Sequence, residues 1–140
     1  RSHYPVAEGV QRGGYVLWES TDDAPDVILI GTGSEVQVAL EAGQELAHQD
    51  VAVRVVSMPS WELFDQQRAD YRERVLPSSV RARVAVEAGA KMGWEHYVGL
   101  DGAVVGMDSF GASAPAEVLF EKFGITAEKV VDEAMALLDR

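Results

Sequence analysis

Four consecutive branched apolar residues, Val27, Ile28, Leu29 and Ile30, predict a strand covered on both faces, as strands inside a parallel sheet are. Gly31, Thr32 and Gly33 interrupt the run. Ser34 is placed to cap a helix, and Gln37 to close a capping box with it. Val36, Ala39, Leu40, Gly43, Leu46 and Ala47 then recur at helical spacing, with Glu35, Gln37, Glu41, Gln44, Glu45 and His48 expected on the wet face. Residues 51–57 return as a second strand, so the stretch reads as a βαβ unit around which the rest of the chain is arranged.

The flanking pattern extends that unit in both directions. Tyr15, Val16, Leu17 and Trp18 form a short apolar strand after Gly13-Gly14, and residues 19–25 read as a polar surface connection. That connection is too short for a crossover helix, so the first strand is expected at an antiparallel edge. After Met58-Pro59, Ser60 can cap a short helix carrying Trp61, Leu63 and Phe64, and residues 69–76 form another, stopped by Pro77. Residues 83–86 alternate as a strand ending at Glu87, residues 91–98 read as a helix, and residues 103–107 as the fifth strand. Pro115 suits a first helical turn, with Val118, Leu119 and Phe123 inward and Gly124 as the stop. Thr126 is placed to cap a last helix that buries Val130, Val131, Ala134, Leu137 and Leu138. The expected fold class is α/β, a three-layer α/β/α sandwich on a mostly parallel five-stranded sheet with one antiparallel edge strand.

Two places invite a ligand. The Gly31–Ser34 turn joins a strand to a helix, where free backbone N–H groups attract anions. Its Gly-Thr-Gly-Ser-Glu pattern is neither a dinucleotide fingerprint nor a Walker loop, and Glu35 in the first turn opposes an anion. Close packing of strand on helix is the favoured account of the glycines. Glu87 stands at the carboxyl end of a parallel strand, where open α/β sheets place their ligands, although an acid there also serves to accept hydrogen bonds from neighbouring loops. Gly31, Gly33, Ser34 and Glu87 are therefore the residues of a possible ligand cleft.

Composition narrows the partners. The 140-residue chain has a formal net charge of −11, which opposes nucleic acid and anionic membranes. It has no cysteine, so disulfides and thiol chemistry are excluded, and a cytoplasmic location fits. His3, His48 and His96 have no neighbours that define a metal or catalytic motif, and there is no nucleophile elbow or acidic metal loop. Trp61, Trp94, Tyr97, Phe110 and Phe120 exceed what so small a core needs, so a face toward another domain is open alongside core packing. The start Arg1-Ser2-His3-Tyr4-Pro5 has no initiator methionine, and the chain reads as a piece of something longer.

A series of blocks carries a resemblance. Arg12-Gly-Gly-Tyr-Val-Leu17, Ile30-Gly-Thr-Gly-Ser-Glu-Val36, Arg54-Val-Val-Ser-Met-Pro59, Tyr71-Arg-x-x-Val-Leu-Pro77, Ala82-Arg-Val-Ala-Val-Glu-Ala-Gly89, Tyr97-Val-Gly99, Gly106-Met107 and Phe110-Gly-x-Ser-Ala-Pro-Ala-Glu117 occur in consistent order. Together they resemble the C-terminal domain of bacterial transketolases. Related domains of deoxyxylulose-phosphate synthase and of oxo-acid dehydrogenase β subunits fit these blocks less well. Residues 1–12 have no clear period and read as a linker, and the resemblance implies the domain over residues 13–140. It also implies a homodimeric parent that moves a two-carbon ketol unit between sugar phosphates in the non-oxidative pentose phosphate pathway. Thiamine diphosphate and Mg2+ would be held by upstream domains, with no catalytic residue and no cofactor contact in this one, which would be inactive alone. Arg1, with Pro5 four residues on, matches the family's substrate-phosphate arginine, and its forked donors suit two phosphate oxygens. The alternative to this reading is a ligand-binding regulatory module at the carboxyl edge of the sheet.

Overall fold

The computed structural model describes residues 11–32, 35–90, 98, 102–107 and 126–139. Five strands, β1 (Tyr15–Glu19), β2 (Val27–Gly31), β3 (Val53–Ser57), β4 (Arg83–Ala90) and β5 (Ala103–Met107), form one sheet in the order β1-β3-β2-β4-β5. Only β1 runs antiparallel, against β3, and β2, β3, β4 and β5 are mutually parallel. Among the described residues, the helices that accompany them are α1 (Glu35–His48), α2 (Trp61–Asp65), α3 (Ala69–Val75) and α4 (Ala127–Leu138). The three-layer sandwich with one antiparallel edge strand is thus the architecture found. The helices expected at residues 91–98 and from Pro115 lie outside the described residues apart from Val98, which packs into the core.

Strand β2 lies between β3 and β4, and its alternate residues feed two separate cores. Val27 and Leu29 face α1 and α4, meeting Ala39, Ala42, Leu46, Val130 and Ala134. Ile28 and Ile30 face the other way, into Phe64, Tyr71, Val75 and Leu76 from α2, α3 and the turn beyond. All four are fully buried, which is why no polar position breaks the run.

Helix α1 corrects the sequence reading by a fraction of a turn. It buries Glu35, Val38, Ala39, Ala42, Gly43 and Leu46, whereas Val36, Leu40 and Ala47 are half-buried at the margins. Glu35, expected in water, is only 7% exposed. Gly43 supplies the physical reason. A Cβ there would stand 2.9 Å from Val55 Cγ2 and 3.2 Å from the Trp18 ring, so its absence lets the backbone of α1 close on the sheet along that line. Alanines 39 and 42 complete the narrow stripe, and hydropathy alone ranks them below Val36 and Leu40.

A register shift between Val16 and Trp18 leaves Leu17 as an extra residue opposite β3. Val16 and Trp18 would share a face in a regular strand, but the bulge sends Val16 to the α2–α3 side and Trp18 to the α1 side. The strand also runs one residue further than the apolar run, through Glu19, whose carboxylate pairs with Arg54 at 3.0 Å.

Both expected caps on described residues form. The Ser60 hydroxyl accepts from Leu63 N at 3.3 Å and the Thr126 hydroxyl from Lys129 N at 3.1 Å. The Ser34 cap lies outside the described residues. Helix α4 has the stripe expected of it, with Leu138 half-buried at its end. Thr126→Ala is expected to lower unfolding stability by about 1 kcal/mol, the usual worth of such a cap, measured by urea titration at neutral pH.

Candidate site at the carboxyl end of the sheet

Gly31, Ser57 and Glu87 come together because β3, β2 and β4 are parallel neighbours that end at one edge. Gly31 is in register with Ser57 on one side and with Val86 on the other, so Glu87 is the next residue outward on β4. Met58 N donates to Gly31 O at 2.9 Å, which ties the two turns leaving β2 and β3 to each other. Thr32, the residue after Gly31, donates its hydroxyl to Glu87 Oε1 at 3.1 Å. Sequence reasoning singled out Gly31 and Glu87 and missed Thr32, whose hydroxyl beside a turn glycine was the available signal.

Gly31 is a point of close approach. A Cβ there would lie 3.0 Å from Val36 Cα and 3.1 Å from Val36 N, backbone atoms that cannot swing aside as a side chain would. The first turn of α1 therefore rests directly on the end of β2, and Glu35 N donates to Thr32 O at 3.0 Å. The carboxylate of Glu35 is buried here, and half-buried Glu87 engages Thr32 across the turn. Gly33, Ser34 and Arg1, the remaining sequence candidates, lie outside the described residues.

Among the described residues, this edge carries two acids, Glu35 and Glu87, both acceptors. That chemistry does not fit a diphosphate, which needs donors and cations, and among the described residues no three His, Asp or Glu side chains are grouped to hold a metal ion. The described residues at this edge therefore do not fit thiamine diphosphate or its metal. The hydroxyl–carboxylate contact instead ties the turn after β2 to the end of β4, an internal brace.

Two of the described guanidinium groups, those of Arg54 and Arg83, are committed elsewhere. Arg54 donates from Nε and Nη2 to Glu19 Oε2, and from Nη1 to the carbonyls of Arg74 and Val75 at 2.9 and 3.3 Å. It thereby joins β1, β3 and the C-terminal carbonyls of α3, where a cation is favoured. Arg83, at the start of β4, donates to the carbonyls of Leu76, Pro77 and Val80 at 2.7–3.2 Å. Burial pushes its pKa below the ordinary arginine value, with the nearby Glu73 carboxylate opposing that shift. His48 is exposed at the end of α1, as expected. Among the described residues, no helix is long and apolar enough to cross a membrane.

Fold and edge together define a mostly parallel α/β domain whose described polar groups brace the sheet. Residues 13–126 match the transketolase-like TK C-terminal domain, and the chain belongs to that family. It is 57% identical over 132 residues to transketolase 10 of Craterostigma plantagineum, covering 93% of this chain and 19% of that protein. Among solved structures, transketolase from Leishmania mexicana superposes with a TM-score of 0.85 at 47% identity, covering 95% of this chain and 19% of that one. A Pichia stipitis transketolase in complex with sedoheptulose 7-phosphate superposes at 0.83 with 35% identity, covering 94% of this chain and 19% of that one. The chain thus spans about a fifth of the length of the relatives it matches.

Proposed function

We propose that this chain acts as the C-terminal domain of a thiamine-diphosphate-dependent transketolase, a homodimeric cytoplasmic enzyme that moves a two-carbon ketol unit between sugar phosphates in the non-oxidative pentose phosphate pathway. The observation that carries this reading is the likeness itself, which covers 93% of this chain at 57% identity to a protein named for that activity. The complex of the Pichia stipitis relative with sedoheptulose 7-phosphate supports sugar phosphates as the substrate class. The acceptor-rich carboxyl edge supports placing the cofactor and Mg2+ on the preceding part of the parent. When bound there, thiamine diphosphate supplies the carbanion-stabilising chemistry that ketol transfer requires. Residues 1–12 serve as the connection into the domain, residues 13–140 are the domain, and Arg1 binds the substrate phosphate with its forked donors. The regulatory-module reading and the other thiamine-enzyme readings have no comparable support.

The test uses the 140-residue chain and a longer polypeptide that contains it. With thiamine diphosphate, Mg2+, a ketose phosphate donor and an aldose phosphate acceptor supplied, the longer polypeptide is expected to transfer the ketol unit and the shorter chain to show none. In the longer polypeptide, Arg1→Ala is expected to raise KM for the phosphorylated donor about tenfold to a hundredfold, the worth of one charge-assisted phosphate contact, with kcat changed far less. Transfer by the short chain alone overturns the division of labour. An unchanged KM overturns the role of Arg1.

A further inference from the structure

The chain comes into the sheet through Arg12, Gly13 and Gly14, and these residues are held more closely than a lead-in to an edge strand requires. Gly13 has φ +84, and a Cβ there would stand 2.3 Å from both Phe64 N and Ser60 O, so the backbone lies in a notch at the start of α2. Ser60 N donates to Gly13 O at 3.0 Å. The buried Tyr71 hydroxyl donates to Gly14 O at 2.7 Å, across 57 residues of sequence. The Arg12 guanidinium stacks over the Tyr71 ring, 4.8 Å from its centroid, and Nη1 donates to Gln67 Oε1 at 3.5 Å. The ring edge of Tyr71 also meets Phe64, with centroids 6.2 Å apart. One tyrosine therefore fills the core with its ring, grips a backbone carbonyl with its hydroxyl and offers its face to the arginine.

We propose that residues 12–14 form a latch, with Tyr71 as its positioning residue, that fixes the direction in which the polypeptide comes into the domain and makes this lead-in rigid with α2 and α3. Core filling alone requires only the ring, which phenylalanine supplies. The hydroxyl adds a group that holds the Gly14 carbonyl from inside the core. In a longer parent, a consequence that rests on the reading above, the latch sets the angle at which this domain meets the preceding polypeptide.

Backbone 15N relaxation on the 140-residue chain tests the latch without any activity measurement, so its failure is separate from failure of the proposed function. In the wild type the amides of Gly13 and Gly14 are expected at the order parameter of rigid backbone, about 0.85, and in Tyr71→Phe they are expected to drop below about 0.7. Leu29 and Val55, in the sheet centre, keep their values. Val75→Ala is a core change on α3 whose side chain makes none of the hydrogen bonds or ring contacts named above, and it should leave both glycines rigid. Arg12→Gln removes the stacked guanidinium from the outer side of the ring and should loosen Gly13 with the core intact, a second reading if Tyr71→Phe does not fold. Mobile glycines in the wild type, unchanged glycines in the folded variants, or an equal drop in Val75→Ala would overturn the latch.

Discussion

Leu29→Ala is expected to destabilise the domain by about 3 kcal/mol, within the range for a fully buried leucine cut back to alanine. Leu29 is completely inaccessible, on the strand paired on both sides, beneath α1 and α4. The lost atoms contribute burial free energy, and the cavity adds to the loss because strands anchored on either side cannot collapse into it. Small domains have a net stability of only about 5–15 kcal/mol, so such a loss removes a large share and moves the urea midpoint downward with little change in slope. Leu40→Ala on the half-buried margin of α1 is the control and should cost markedly less. Equal losses at the two positions would contradict the two-sided core around β2.

The second large effect concerns the ion pair on the other side of β3. Arg54→Ala removes two bonds to Glu19 and two to the last carbonyls of α3, leaving a carboxylate whose side chain is only 14% exposed. Breaking one partner of a buried pair typically costs about 3–5 kcal/mol, and the remaining exposure here places the expectation at about 3 kcal/mol. Glu19→Gln keeps an acceptor for the guanidinium and should cost less. The double change Arg54→Ala with Glu19→Gln should recover part of the loss, because no unpaired charge is then left between β1 and β3. Thermal and urea unfolding of the set measures the coupling, and strictly additive losses would show that the two side chains do not act as a pair.

These two sites mark what could and could not be seen in the sequence. The β2 run was legible because a strand buried on both faces has no polar position to disguise it, and the antiparallel edge followed from a connection too short to cross over. The gathering of Gly31 and Glu87 was legible for a similar reason, since parallel strands must end their carboxyl termini together. The Arg54–Glu19 pair and the Tyr71–Gly14 bond were not, because each joins residues far apart in sequence and depends on strand order, which no local pattern encodes. The phase of α1 was set slightly off because Val36 and Leu40 outweighed Ala42 in hydropathy, although Ala39, Gly43 and Leu46 were placed on the buried face correctly. The Leu17 bulge escaped because apolar residues on both sides of an edge strand look alike with or without an extra residue. Residues 1–12 read as a connection because they have no clear period, whereas the role of Arg1 came from family resemblance rather than from any physical pattern.

The order of strands has a consequence for how the chain becomes a domain during synthesis. Strands β1, β2 and β3 can pair as soon as residue 57 has emerged, yet the far edge of β2 stays open until Arg83 and the rest of β4 follow. During that interval an all-apolar strand presents unpaired N–H and C=O groups to whatever is nearby, including a second nascent copy. Slow translation between β3 and β4 would therefore favour intermolecular pairing, and a ribosome that passes quickly through residues 58–82 would protect the yield of native protein.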